Sequence, residues 1–110
     1  MNEDIQQYIE KYSEEIKSLF INLRTLIFNS VSADIEEKLW AKLPSYYVGK
    51  KFVRIIPFKD HINVEATAVI QFKSELSDYK LTPKGMLQIY SNQTIPEDIL
   101  QQIFIETLLL

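Results

Sequence analysis

Along this chain the hydrophobic positions shift from a helical period to a two-residue period and back. Ile5, Tyr8, Ile9 and Tyr12 fall at i, i+3, i+4 and i+7, one face of a helix. Ser13 reads as a fresh N-cap, with Glu14 and Glu15 placed to complement a helix dipole. Ile16, Leu19, Phe20, Leu23, Leu26 and Ile27 then form the strongest helical stripe, ended by Asn29-Ser30. Ser32 predicts a short third helix through Ile35 and Glu36 to about Leu39. From Trp40 to Val48 the chain is aromatic-rich and broken by Pro44, which predicts short extended pieces. Gly49-Lys50 suits a two-residue hairpin turn with glycine first.

Lys51 to Phe58 predicts a strand, with Pro57 near its end, where a missing N–H is tolerated. Lys59-Asp60 reads as a tight turn. His61 to Ala66 alternates cleanly, Ile62, Val64 and Ala66 on one side and His61, Asn63 and Glu65 on the other. Ala68 to Leu76 predicts a short helix, Ser77 to Lys84 a polar connection and Gly85 to Tyr90 a further strand. Pro96, Glu97 and Asp98 open a last helix. Its inner stripe is Ile99, Leu100, Ile103, Phe104, Thr107 and Leu108. Helices, a run of strands, a helix, a strand and a helix do not make the alternating βαβ pattern of a parallel sheet. The expected class is α+β: one domain over 1–110, with an antiparallel sheet of about five strands and helices packed mainly on one face.

Composition narrows the chemistry. The 110 residues include no cysteine, which removes disulfides, thiolate metal sites and thiol nucleophiles. Met1-Asn2-Glu3-Asp4 lacks the basic start and apolar core of a signal peptide, and no apolar run approaches the roughly 20 residues of a membrane span. A cytoplasmic protein with no membrane partner is expected. The net charge is −3, unevenly spread: residues 1–37 carry eight acids and three bases, residues 38–84 nine bases and four acids. The basic middle favours an anionic ligand. It is not dense enough for a nucleic-acid surface.

Four segments carry a family resemblance. Glu37-Lys38-Leu39-Trp40-Ala41-Lys42-Leu43-Pro44-Ser45-Tyr46 is similar to the acid, aromatic, then proline-plus-aromatic segment of the YdhG-like family of small bacterial proteins. Phe58-Lys59-Asp60-His61-Ile62 resembles its aromatic-x-x-His strand entry, and Lys84-Gly85-Met86-Leu87-Gln88-Ile89 its Lys-Gly-x-hydrophobic-Gln-hydrophobic strand. Ile95-Pro96-Glu97-Asp98-Ile99-Leu100 resembles its final helix start. These segments occur in the family's order over nearly the whole chain, with Met86 where the family usually has a small polar residue. The resemblance implies an α+β cytoplasmic protein, non-enzymatic, with some relatives described as frataxin-like iron chaperones. It implies no tightly bound cofactor, only weakly held iron.

Two constellations follow. The iron implied by the resemblance falls on the carboxylates Glu10, Glu14, Glu15, Glu36 and Glu37, since hard cations take oxygen ligands. Most of these acids are also what helix N-termini prefer. The second constellation joins His61, Lys59 and Lys84 to an aromatic wall of Trp40 and Tyr46, a set suited to the carboxylate or phosphate of a small ligand. Against it stands a purely local part for His61, hydrogen bonding that orders its turn. With one histidine and two glycines the chain offers no multi-histidine metal site, no self-contained triad and no phosphate cradle. An enzyme is therefore not expected. Leu108-Leu109-Leu110 reads as the end of a core helix or as an apolar patch closing a homodimer.

Overall fold

Two side-chain caps start the fold in the computed structural model, which describes residues 1–110. The Asn2 Oδ1 accepts from the N–H groups of Asp4 (2.7 Å) and Ile5 (3.3 Å), opening α1 (Glu3–Ile9). The Ser13 Oγ accepts from Ile16 N–H at 3.2 Å, opening α2 (Glu14–Ser30). Each cap satisfies orphan donors of a first helical turn.

The expected third helix is instead a strand. Residues β1 (Glu36–Trp40) pair antiparallel with β2 (Leu43–Val48), from Glu36 opposite Tyr47 to Trp40 opposite Leu43. Ile35, Glu37 and Leu39 turn inward while Glu36, Lys38 and Trp40 turn outward, a two-residue period that a five-residue window does not separate from one helical turn. The connection forces Ala41 and Lys42 to φ values of 50° and 66°, the doubly left-handed backbone of a type I′ hairpin. The next turn behaves as expected. Gly49 has φ 62°, Lys50 does not share it, and the pair joins β2 to β3 (Lys51–Pro57), as in a type II′ turn.

After the Lys59-Asp60 turn, β4 (His61–Glu65) pairs with β3. A 3₁₀ helix (Thr67–Phe72) follows where a short helix was expected, anchored by Ala68 N–H donating to Thr107 Oγ1 at 3.2 Å. The polar connection contains an edge strand, β5 (Lys80–Leu81), paired with β6 (Leu87–Tyr90). Helix α3 (Glu97–Leu109) closes the chain. Its start is fixed by Pro96, whose carbonyl accepts from Leu100 N–H at 2.9 Å.

The result is an α+β fold with a six-stranded, wholly antiparallel sheet in the order β1-β2-β3-β4-β6-β5. One sheet face supplies Tyr46, Val53, Ile55, Ile62, Val64, Leu87 and Ile89 to a continuous core. From the helices come Ile5, Ile9, Ile16, Phe20, Leu23, Ile27, Leu100, Ile103 and Phe104. Burying these side chains is the main favourable term in folding, worth about 1.5–3 kcal/mol for each large one. The other sheet face has no helix on it. No helix of the chain is long and apolar enough to cross a membrane.

Candidate functional site on the uncovered sheet face

Register determines what the uncovered face presents. Lys38, Ser45, Arg54 and Glu65 stand side by side across β1 to β4. One step along, Trp40 faces Leu43 across β1 and β2, and Ile56, Asn63, Gln88 and Lys80 make a second row across β3, β4, β6 and β5. At the β3–β4 turn Phe58, His61 and Tyr90 make a third.

Aromatic rings and cations alternate on this face. The Arg54 guanidinium carbon sits 4.3 Å from the Trp40 ring centroid and 3.8 Å from that of Phe52. Its Nε donates to Ser45 Oγ (3.0 Å), Nη1 to Glu65 (3.3 Å) and Nη2 to the Tyr47 hydroxyl (3.1 Å). Arg54 is only 6% exposed, because three acceptors and two rings replace its water. Trp40, lying over it, is 52% exposed.

The Lys38 ammonium lies 4.7 Å from the Tyr47 ring, and Lys80 lies 5.6 Å from the Tyr90 ring.

His61 is held between two rings. Phe58 stacks on it at 4.7 Å and 6°, Tyr90 at 4.9 Å and 28°. Its Nδ1 is 2.8 Å from Asp60 Oδ1, and that hydrogen bond holds the Asp60 carboxyl below the usual carboxylate range. The ring nitrogen that Asp60 does not engage is Nε2. The side chain is 15% exposed.

The five residues expected to form one pocket are divided. Lys59 and His61 are neighbours at the β3–β4 turn, as expected. Lys84 lies in the β5–β6 loop, beyond Leu87, whereas His61 pairs with Tyr90 at the other end of β6. The strand from Leu87 to Tyr90 alone separates them by about 10 Å. Trp40 shares the face but stands on β1, three strands from β4, about 14 Å at normal strand spacing. Tyr46 is on the helix side and fully buried. The cation beside Tyr90 is Lys80, and the rings stacked on His61 are Phe58 and Tyr90. Sequence reasoning picks out Phe58, in the aromatic-x-x-His segment, but neither Lys80 nor Tyr90. The signal lay in parity, since inward Leu87 and Ile89 put Gln88 and Tyr90 on the outward side.

The carboxylates are also apart. Glu10 borders a shallow depression on α1 with Glu3, Gln6 and Gln7. Glu14 and Glu15 border another of about 430 Å³ with Ser18, Asn22, Ser91 and Gln93, and Glu14 pairs with Lys17 at 3.2 Å. Glu36 pairs with Lys38 at 3.4 Å.

Glu37 points into the protein. It takes Arg24 Nε at 2.5 Å and Nη2 at 3.1 Å, and accepts Asn2 N–H at 2.8 Å. Burial works to raise its pKa, but the Arg24 and Asn2 hydrogen bonds outweigh burial and hold the carboxyl below its usual range. Beside this pair the Tyr46 hydroxyl is buried without a hydrogen bond of normal geometry, and burial pushes its pKa up. No three acidic or histidine side chains come together as a group that would hold a metal ion.

Comparison of the chain with protein-family models, with curated proteins and with solved structures gives no match.

Proposed function

We propose that the chain is a binding module, of the YdhG-like kind its sequence resembles, that takes a small aromatic anion on its uncovered sheet face. The observation that carries this reading is His61 stacked between Phe58 and Tyr90, with the Lys80 ammonium on the Tyr90 ring. A carboxylate or phosphate needs a cation and a directed N–H, and a planar body needs an apolar surface. Lys80 supplies the first and the His61 ring, through the edge that Asp60 does not engage, the second. The exposed ring of Phe58 supplies the third, and Lys59 adds charge from the turn. This function needs no nucleophile and no resident cofactor. The iron reading of the same resemblance has no grouped carboxylates to rest on, so the anion site is preferred.

The test is an NMR titration of the labelled protein with benzoate and with phenyl phosphate at millimolar concentration. Saturable shifts at Phe58, His61, Lys80 and Tyr90 are expected, weakened about tenfold by Lys80→Ala, the equivalent of about 1.4 kcal/mol. Saturable shifts elsewhere, or none with either anion, would refute the reading.

A further inference from the structure

Strand β5 ends the sheet on the side away from β1, and its register shows which backbone groups it leaves unused. Thr82 N–H donates to the Met86 carbonyl at 2.8 Å, and Lys80 stands opposite Gln88. Hydrogen-bonded pairs alternate along an antiparallel ladder, so Lys80 and Thr82 turn their backbone groups toward β6. Leu81, between them, turns its N–H and carbonyl away from the sheet, and neither is bonded by another part of the chain. On one side of it the Tyr79 N–H is taken by the Leu76 carbonyl at 2.9 Å, and on the other Pro83 has no N–H. Leu81 is therefore the one residue of this edge with both a donor and an acceptor open.

Beside it lies a depression of about 710 Å³, lined by Leu81, Tyr79, Ile70 and the buried Leu76. Ile70 is 58% exposed, more than Trp40, although it is a large apolar side chain. Leu81 shares the helix side of the sheet with its neighbour Leu87. Residues paired across a ladder point to the same face, so a residue that pairs with Leu81 sets its own side chain on this side, against the depression. The charges here are of one sign. Lys73 lines the depression and no carboxylate does. Lys80 stands on the outward side of β5, and neither lysine belongs to an ion pair.

From this we infer that the β5 edge docks an extended acidic segment of a partner protein, which pairs with Leu81 through its backbone and places one large apolar side chain in the depression. The paired residue accepts from Leu81 N–H and donates its own N–H to the Leu81 carbonyl, while its side chain packs on Ile70, Leu76 and Leu81. The residues before and after it turn to the outer face, where one of them stands beside Lys80. A carboxylate there meets an ammonium, and Lys73 adds attraction for the same sign of charge. Main-chain bonds then supply affinity and the depression supplies specificity, which is how strand addition works elsewhere. A second copy offering its own β5 fits less well, because it adds two lysines where carboxylates are called for. The inference stands apart from the reading of the His61 site and shares only Lys80 with it.

The experiment is an NMR titration of the native chain, labelled in its amides and methyl groups, with the peptide acetyl-Thr-Glu-Phe-Glu-Thr-amide at millimolar concentration. The expected result is saturable shifts at the Leu81 N–H and at the methyl groups of Ile70, Leu76 and Leu81. The same peptide with an N-methylated Phe loses the donor for the Leu81 carbonyl and should bind about tenfold more weakly. Ile70→Asp should weaken the unmodified peptide by a similar factor and keep a Tm near native, since that side chain is largely in water. Equal binding of the N-methylated peptide would overturn the inference, because contact is then made by side chains alone. Shifts confined to Phe58, His61 and Tyr90 would place the peptide's carboxylates at the anion site and overturn it, as would no saturable shift at all. Sedimentation should show no dimer joined through this edge; a dimer that protects the Leu81 N–H from exchange without peptide would make a second copy the occupant and overturn it too.

Discussion

Glu37→Gln isolates one charge at the junction of three elements. Glu37 belongs to β1, Arg24 to α2, and Asn2 caps α1. The Glu37 side chain is 8% exposed and that of Arg24 23%. Glutamine keeps the shape and one acceptor for Asn2 N–H but leaves Arg24 facing a neutral group. Removing one partner of a fully buried pair costs about 3–5 kcal/mol. Arg24 keeps some access to water, so about 2 kcal/mol is expected here, discounted for that hydration. For a chain of this size that is a fall in Tm of roughly 8–12 °C at neutral pH.

The pH dependence is the sharper part. Because the folded pKa of Glu37 lies below its unfolded value, the ionised pair contributes fully above the unfolded pKa of about 4.3. Its contribution is lost as pH falls through the folded pKa. Thermal melts of both proteins from pH 7 down to pH 3 should therefore converge at the acid end. A Tm difference that stays constant across that range, or a variant as stable as the native chain at pH 7, would refute the argument.

Two further outcomes follow from geometry on the outer face and its turns. Arg54→Met removes the cation stacked on Trp40 and three donors, so unfolding free energy should fall by about 2–4 kcal/mol. The emission of Trp40, the only tryptophan, should change in the folded state; an unaltered spectrum would mean that the stack does not form in solution. Replacing Ala41-Lys42 by Asn-Gly relieves two residues held at left-handed φ, and urea unfolding should show a gain of about 1–2 kcal/mol. A loss of stability there would refute the type I′ assignment.

Helices α2 and α3 are readable in the sequence because their inward stripes run for several turns, and Ser13 or Pro96 marks where each begins. Strand β4 is readable because Ile62 and Val64 alternate with polar neighbours between turn residues. Strand β1 is not. Five residues after a serine admit both periods, and the choice is made by hydrogen bonding to β2 across a turn whose backbone strain Ala41 and Lys42 do not announce. The candidate site shows the same divide. His61 stands out as the lone histidine, but its companions Tyr90 and Lys80 are set by the pairing of β4 with β6 and β6 with β5, across a long excursion of the chain. Lys84 looks equivalent to Lys80 along the sequence, yet the hairpin carries it to the far end of β6. Tyr46 looks like a ligand wall until parity, opposite Val53, turns it toward the helices.

The Asn2 side chain does more than start a helix. Its Nδ2 donates to the Glu37 carbonyl at 3.2 Å, so the first residues of the chain occupy part of the outer hydrogen-bonding rim of β1. An unpaired rim of this kind is a template for a strand from another molecule. Here the rim is guarded by a segment that is itself tethered through Asn2 N–H to the Glu37 carboxylate. Loosening that tether would bare this part of the β1 edge, so its protection against pairing with another strand resides in Asn2 as well as in β1 itself.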